Sequence, residues 1–230
     1  MTIARRRATR SPKIAQGNLS TRYGRIYTAA ITDVLDRHGW YDQTLPHGIV
    51  PLTPETRVAG AAFPVSGNQS RNTEAEGAIR SFLKMLGAVP RDAVLVIQAN
   101  DDTAAHFGEL CAVAMKARGV RGVVVDGPTR DAAYVVREKF PLFCRYRTPQ
   151  DSLPRWRAVE WGQPVTIGSV RVSPGDMVVG DLDGVTVVPK KLALHVLLEC
   201  EALLDTENQL RDAVRKGMTP LAAYEKFGVF

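Results

Sequence analysis

The chain has 230 residues, 45% of them hydrophobic and 23% charged, a soluble globular composition that excludes a disordered or fibrous protein. The formal net charge of +6 at first suggests a nucleic-acid binder. Residues 1–25, however, hold seven of the 30 cations and no acid, so the other 23 cations face all 24 acids and the body is nearly neutral.

The basicity is therefore a tail, which argues against nucleic acid as a partner. The tail carries Arg5, Arg6 and Arg7 with no apolar stretch behind them, so it is not a secretory signal. It reads as a solvated, partly disordered segment over residues 1–25, or else a docking arm for an acidic partner or nucleic acid, followed by a single domain over 26–230. No run is long enough to span a membrane. Cys111, Cys144 and Cys200 are odd in number, far apart and set among apolar residues, as expected of reduced thiols in the cytoplasm.

Ile26 to Arg37 has apolar positions at helical spacing and stops at Gly39, so it predicts a first helix, with a loop through Pro46 and Pro51 after it. Val58 to Val65 is strand-like, and Gly67-Asn68 suggests a loop. Ala75 to Leu86 predicts a second helix ending at Gly87. Ala93 to Gln98 is a nearly continuous apolar run, the pattern of a strand covered on both faces. A helix from Glu109 to Arg118, a strand from Gly122 to Val125, and a helix from Asp131 to Lys139 closed by Pro141 follow. This alternation argues for a layered α/β domain with parallel pairing. From Val165 the pattern changes to short strands at Val170–Val172, Met177–Gly180 and Val185–Val188, before a long helix from Leu192 to Arg215.

The chemistry concentrates between Gly108 and Asp131. Twenty residues separate Glu109 from Arg130, and Asp131 follows at once. A helix, a turn at Gly119 and a buried strand use up that interval and return the chain to where it started. Glu109 then opens a helix while Arg130 and Asp131 leave a strand. The N–H groups of Leu110 and Cys111, free at a helix N-terminus, can hold a carboxylate, and the Arg130 guanidinium can add a planar pair of donors. Glu109 and Asp131 would repel that anion unless a divalent cation sits between. The pattern reads as a magnesium-type site for a keto acid.

These residues, with Gly108, Pro174-Gly175-Asp176 and Gly180-Asp181-Leu182-Asp183-Gly184-Val185, resemble the 4-hydroxy-4-methyl-2-oxoglutarate aldolase family, which also contains the ribonuclease E activity regulator A proteins. The resemblance begins at Thr28–Asp36, includes Val58-Ala59-Gly60-Ala61-Ala62, and runs to the C-terminal helix. It implies a swivelling β/β/α-type domain assembled as a homotrimer or homohexamer. It also implies a class II aldolase, a carbon–carbon lyase in which Mg2+ or Mn2+ stabilises a pyruvate enolate, with oxaloacetate decarboxylation as a related activity. By matching position, Asp131 would bind the metal directly and Glu109 would hold a water on it. Arg130 would pair with the keto and enolate oxygen, and Leu110 and Cys111, after Gly108, would bind the pyruvate carboxylate through their N–H groups. A neighbouring subunit's glutamate helps in the family, and Glu207 is the candidate here, acting through water.

Two positions depart from the family pattern. Glu109 stands where Asp is usual, keeping the charge on a longer arm. Tyr134 stands where an acid usually follows the Arg-Asp pair, and bears on the aldol acceptor and on aldolase activity itself more than on metal binding. The rival reading is a non-catalytic regulator that binds a ribonuclease or another macromolecular partner. A methyltransferase role lacks a Gly-rich cofactor loop.

Blander readings stand beside each of these. Asp131 could be a simple helix N-cap. Asp126 fits a turn as well as a supporting role near the pocket. His106 could donate a proton near neutral pH, but as a pocket-wall residue it needs no such role. Pro174–Asp176 and Gly180–Gly184 are turn chemistry, and Glu207 shares its helix with Glu199 and Glu201, where a surface glutamate is the default.

Overall fold

One strand of twelve residues organises the molecule by bonding to three others. The computed structural model describes residues 16–71 and 75–230, with only the backbone of Gln16, Gly17 and Ala75. In chain order the elements are α1 (Gln16–Tyr23), α2 (Thr28–Arg37), β1 (Val50–Pro51), β2 (Val58–Gln69), α3 (Ala75–Ala88), β3 (Ala93–Gln98), α4 (Glu109–Ala117) and β4 (Gly122–Thr129). They continue with α5 (Ala132–Arg137), β5 (Leu142–Arg147), β6 (Trp156–Trp161), β7 (Val165–Ile167), β8 (Val170–Val172), β9 (Met177–Asp181), β10 (Gly184–Val188), α6 (Ala193–Arg215) and α7 (Pro220–Phe227).

On one edge, β2 runs parallel to β3. On the other, its first half pairs antiparallel with β9 through Val58–Ala61, and its second half with β6 through Val65–Gln69. The main sheet runs β1-β5-β4-β3-β2-β9-β10, with β6 beside β2. The segment before and including β1 nearly closes it. Leu45 N–H donates to the Val185 carbonyl and Val187 N–H to that of Gln43, while Val50 and Pro51 pair with β5. A barrel-like closure of this kind leaves few free strand edges.

Alternation along the strands explains the apolar runs read from the sequence. In β3, Val94 and Val96 point inward to join Val124, Phe143, Val178 and Val187, and the hairpin of β7 and β8 plugs that interior with Val165, Ile167, Val170 and Val172. Ala93, Leu95 and Ile97 point outward under α3, α4 and α5, against Met85, Ala112, Met115 and Val135. A strand covered on both faces has no polar side, so no period of two survives in its sequence. A second outer layer packs α1, α2 and α6 over Ala59, Met177 and Val179. The result is a mixed α/β domain with a nearly closed sheet and a long C-terminal helix.

Several sequence expectations need correction. The basic tail expected over residues 1–25 ends earlier: residues 16–23 form α1, Ser20 and Tyr23 are fully buried, and the Tyr23 hydroxyl donates to the Ala193 carbonyl. The rest of that tail lies outside the described residues. Gly67-Asn68 is strand, because β2 leaves β9 after Ala61 and takes up β6 from Val65, and the register shift between Ser66 and Gly67 falls within that second pairing without ending it. Asp126 lies within β4 and pairs with Arg145 on β5 at 2.5 Å, which is neither a turn nor a pocket contact. The strands β5 and β6 and the helix α7 had no strong period in the sequence. The three cysteines are free thiols, as expected.

Gly67 sits at the register shift against β6, where a Cβ would stand 1.9 Å from Cζ2 of Trp156. That ring is buried and fixed by its Nε1–H to the Ala99 carbonyl at 2.7 Å, so it cannot retreat. Gly67→Ala should lower unfolding free energy by about 3 kcal/mol, read from urea midpoints at constant slope.

Candidate active site

The two segments that the sequence set apart, 106–111 and 128–131, are laced together by the backbone. His106 N–H donates to the Pro128 carbonyl and Arg130 N–H to that of Phe107, each at 3.0 Å, and the buried Thr129 hydroxyl donates to the Phe107 carbonyl at 2.8 Å. β4 therefore delivers Arg130 and Asp131 to the N-terminus of α4, as the spacing predicted.

Asp131 has φ 55° and ψ 29°, the left-handed conformation, immediately before α5. It occupies the N-cap position of α5, yet its side chain makes no capping bond there. Instead the carboxylate crosses to α4, where Oδ2 accepts the Glu109 N–H at 3.2 Å. An acid at a helix N-terminus meets the positive end of the helix dipole. Gly108 makes the approach possible, since a Cβ at that position would lie 2.6 Å from Asp131 Oδ2 and 3.2 Å from Arg130 Cγ. With the Glu109 N–H occupied, the N–H groups of Leu110 and Cys111 remain without intrahelical acceptors by their place in the first turn.

Arg130 is held between two acids. Its Nε lies 3.6 Å from Asp131 Oδ2 and its Nη1 3.4 Å from Asp151 Oδ1. Asp151 was not singled out by the sequence: it follows β5 in an aperiodic loop that the Gln150 carbonyl anchors to the Ala105 N–H. All these groups line one pocket of about 360 Å³ with Glu109, Leu110, Cys111 and Tyr134. Its other wall is apolar, from Ile79, Phe82, Leu83 and Leu86 of α3, a contribution that only the folded chain reveals.

The neighbours sort into chemistry and wall. Burial pushes the Cys111 thiol upward against the opposing pull of Gly108 and Arg130, so it stays protonated and its backbone is the useful part. His106 is fully buried beside Trp156, with ring centroids 4.8 Å apart, and its Nε2 is 3.2 Å from Asp101 Oδ2 without a well-directed hydrogen bond. Burial lowers its pKa below the usual value of 6.5 despite Asp101, leaving it neutral at pH 7. It stands in the wall of the pocket. Asp101 itself is held low: burial works to raise it, but donors from Gln69 and Thr103 prevail.

Glu207 is not among this chain's pocket residues. It accepts hydrogen bonds from the Tyr27 hydroxyl and from Arg211, the latter at 3.1 Å. Tyr134, where the family pattern has an acid, lies at the pocket with half its surface exposed, and the Arg137 guanidinium sits 4.3 Å over its ring.

The donor set suits a hard divalent cation. Magnesium is commonly held by one or two carboxylates and several waters, and Glu109 and Asp131 line the same open pocket. Such a water-rich site needs no tight cluster of three protein ligands, and these acids form none.

The left-handed backbone at Asp131 makes stability separable from chemistry. Asn tolerates that conformation while Ala pays the steric penalty of about 1 kcal/mol. Asp131→Ala should therefore be about 1 kcal/mol less stable than Asp131→Asn in chemical denaturation, which makes Asn the cleaner probe of the carboxylate.

Comparison with known proteins identifies the family and the fold. The family model described as RraA-like, Aldolase/RraA, matches residues 28–187. A protein of Halalkalibacterium halodurans named "Putative 4-hydroxy-4-methyl-2-oxoglutarate aldolase" is 31% identical over 211 residues, covering 91% of this chain and 95% of its own. A crystal structure from Pseudomonas syringae pv. tomato superposes with a TM-score of 0.83 at 29% identity, covering 97% of this chain and 100% of that one. Streptomyces coelicolor RraAS2, described as an unusual member of the RNase ES inhibitor RraA protein family, superposes with a TM-score of 0.75 at 28% identity over 88% and 98% of the two chains. By the family match and by the coverage of these relatives, the chain belongs to the RraA-like (aldolase/RraA) family.

Proposed function

We propose that the protein is a divalent-metal-dependent lyase that cleaves a 4-hydroxy-2-keto acid to pyruvate, with decarboxylation of an oxaloacetate-like acid as a second outcome of the same chemistry. The observation that carries this reading is the delivery of Arg130 and Asp131 from β4 against the open first turn of α4 in one pocket. The relative named as an aldolase supports it.

In this reading the N–H groups of Leu110 and Cys111 bind the substrate carboxylate and orient it at the helix N-terminus. Asp131 and Glu109 are the residues that would hold Mg2+ or Mn2+. When bound, the cation supplies Lewis-acid polarisation of the keto oxygen. Arg130, steadied by Asp131 and Asp151, places its planar donors on the same oxygen, where negative charge grows as the C3–C4 bond breaks. The bonding pair moves to C3 to give the enolate of pyruvate, the 4-hydroxyl proton leaves toward Glu109 through water, and a proton is then returned to C3. Decarboxylation breaks a carboxylate bond instead and passes through the same enolate. The α3 wall and Tyr134 then face the departing acceptor, which gives that side an apolar rather than acidic character.

The reading includes a homotrimer or homohexamer. Leu83, Leu110 and Tyr134 stand more than half exposed around the pocket, a cluster of apolar groups that a neighbouring subunit would cover. Glu207 of a neighbour is assigned no step in this scheme. No helix among the described residues is long and apolar enough to cross a membrane.

A second reading, a regulator of a ribonuclease without catalysis, is favoured by the likeness to Streptomyces coelicolor RraAS2 and by Tyr134 in place of an acid. Pyruvate release separates the two. With oxaloacetate and 4-hydroxy-4-methyl-2-oxoglutarate as substrates, turnover should vanish on chelation and return with Mg2+. Asp131→Asn and Arg130→Ala should each lower kcat/KM by about 100-fold or more with thermal unfolding little changed. Metal-independent turnover, or full activity in either variant, would remove the lyase assignment. No turnover, together with ribonuclease binding by light scattering, would establish the regulator.

A further inference from the structure

We propose a second metal site, remote from the pocket, in which His38, His195 and Glu199 bind a borderline transition-metal ion of the zinc class. Among the described residues, these three alone bring at least three His, Cys, Asp or Glu ligand atoms together, all within 4.8 Å of one another. His195 and Glu199 stand four residues apart on α6 and so share a face. His38 caps the C-terminus of α2, where its backbone N–H bonds the Leu35 carbonyl at 3.0 Å. The two helices are fixed against each other beneath the site by Ile31, Val34, Val196, Leu197 and Cys200, so the three side chains rise from a rigid base.

The geometry is that of convergence on a point. Nε2 of His38 lies 2.9 Å and Nε2 of His195 lies 2.7 Å from the same atom, Glu199 Oε1. The rings meet edge to face with centroids 4.8 Å apart, which turns both Nε2 atoms to one side. Ligand atoms about 2.0–2.1 Å from a shared ion in the tetrahedral arrangement that zinc prefers lie about 3.4 Å apart, roughly half an ångström more than the present separations. A small motion apart would admit the ion, which would then replace the imidazole protons now shared with Glu199. Two imidazoles and one carboxylate select zinc, cobalt or nickel over magnesium. Exposure leaves a coordination position for water. Bound there, the ion would clip α2 to α6. None of the three residues lines the pocket, so the site stands or falls independently of the lyase reading.

The test is calorimetric titration of the untagged full chain carrying Asp131→Asn with Zn2+, with Co2+ absorption as a spectroscopic report of imidazole ligation. One ion per chain should bind at micromolar Kd or tighter and raise the Tm. His38→Ala and His195→Ala should each weaken binding about 100-fold and abolish the Tm rise. Both side chains are substantially exposed, so the variants should fold, and circular dichroism verifies that. Zn2+ binding unchanged by both histidine variants, or no Zn2+ binding to the folded chain, would overturn the site.

Discussion

Asp131 reaches from the end of β4 to the N–H of Glu109 at the start of α4, and the rest of the candidate site depends on that contact. The carboxylate can make it only because its own backbone adopts a left-handed turn and because Gly108 leaves empty the volume that a Cβ would fill. The contact joins the end of β4 to the start of α4, so one polar bond fixes the relation between an acidic group and a helix N-terminus. The pair is partly exposed, and its net contribution to stability is small. Its importance is positional.

That positional role is reinforced from the backbone. The bonds from His106, Thr129 and Arg130 extend the alignment of the two segments beyond the last residues of β3, where the ladder between β3 and β4 has ended. Loops tied in this way keep their groups in place while remaining open to solvent. The same strategy places Asp151, whose loop is pinned through the Ala105 N–H, against the outer side of Arg130. An arginine steadied from two sides loses less freedom on binding a substrate.

The nearly closed sheet explains why so much chemistry collects at one end. Its interior is filled by the β7 and β8 hairpin, and its outer faces are covered by two helical layers. The candidate site lies at the ends of the parallel strands and at a helix N-terminus, the place where α/β sheets commonly bind ligands. The apolar α3 wall completes the pocket from outside the sheet.

How much could be read from the residues alone varied with how local the determining physics was. The unbroken run Ala93–Gln98, the periods of Thr28–Arg37 and Ala193–Arg215, and the Glu109-to-Arg130 spacing are properties of short segments, and each survives in the fold. The pocket groups Gly108, Glu109, Leu110, Cys111, Arg130 and Asp131 were found because one helix and one strand account for the interval between them. The burial of α1, the exchange of partners by β2, the Asp126 pairing with Arg145, the α3 wall and the place of Asp151 were not legible. Each depends on contacts between segments far apart in the chain, which leave no period or turn signature where they begin. The sequence by itself therefore determined many of the helices and strands, the family resemblance and the candidate residues from Gly108 to Asp131 that line one pocket. Only the tertiary structure decided which carboxylate meets which N–H and which walls enclose the pocket, because those are fixed by packing across the sheet rather than by local propensity.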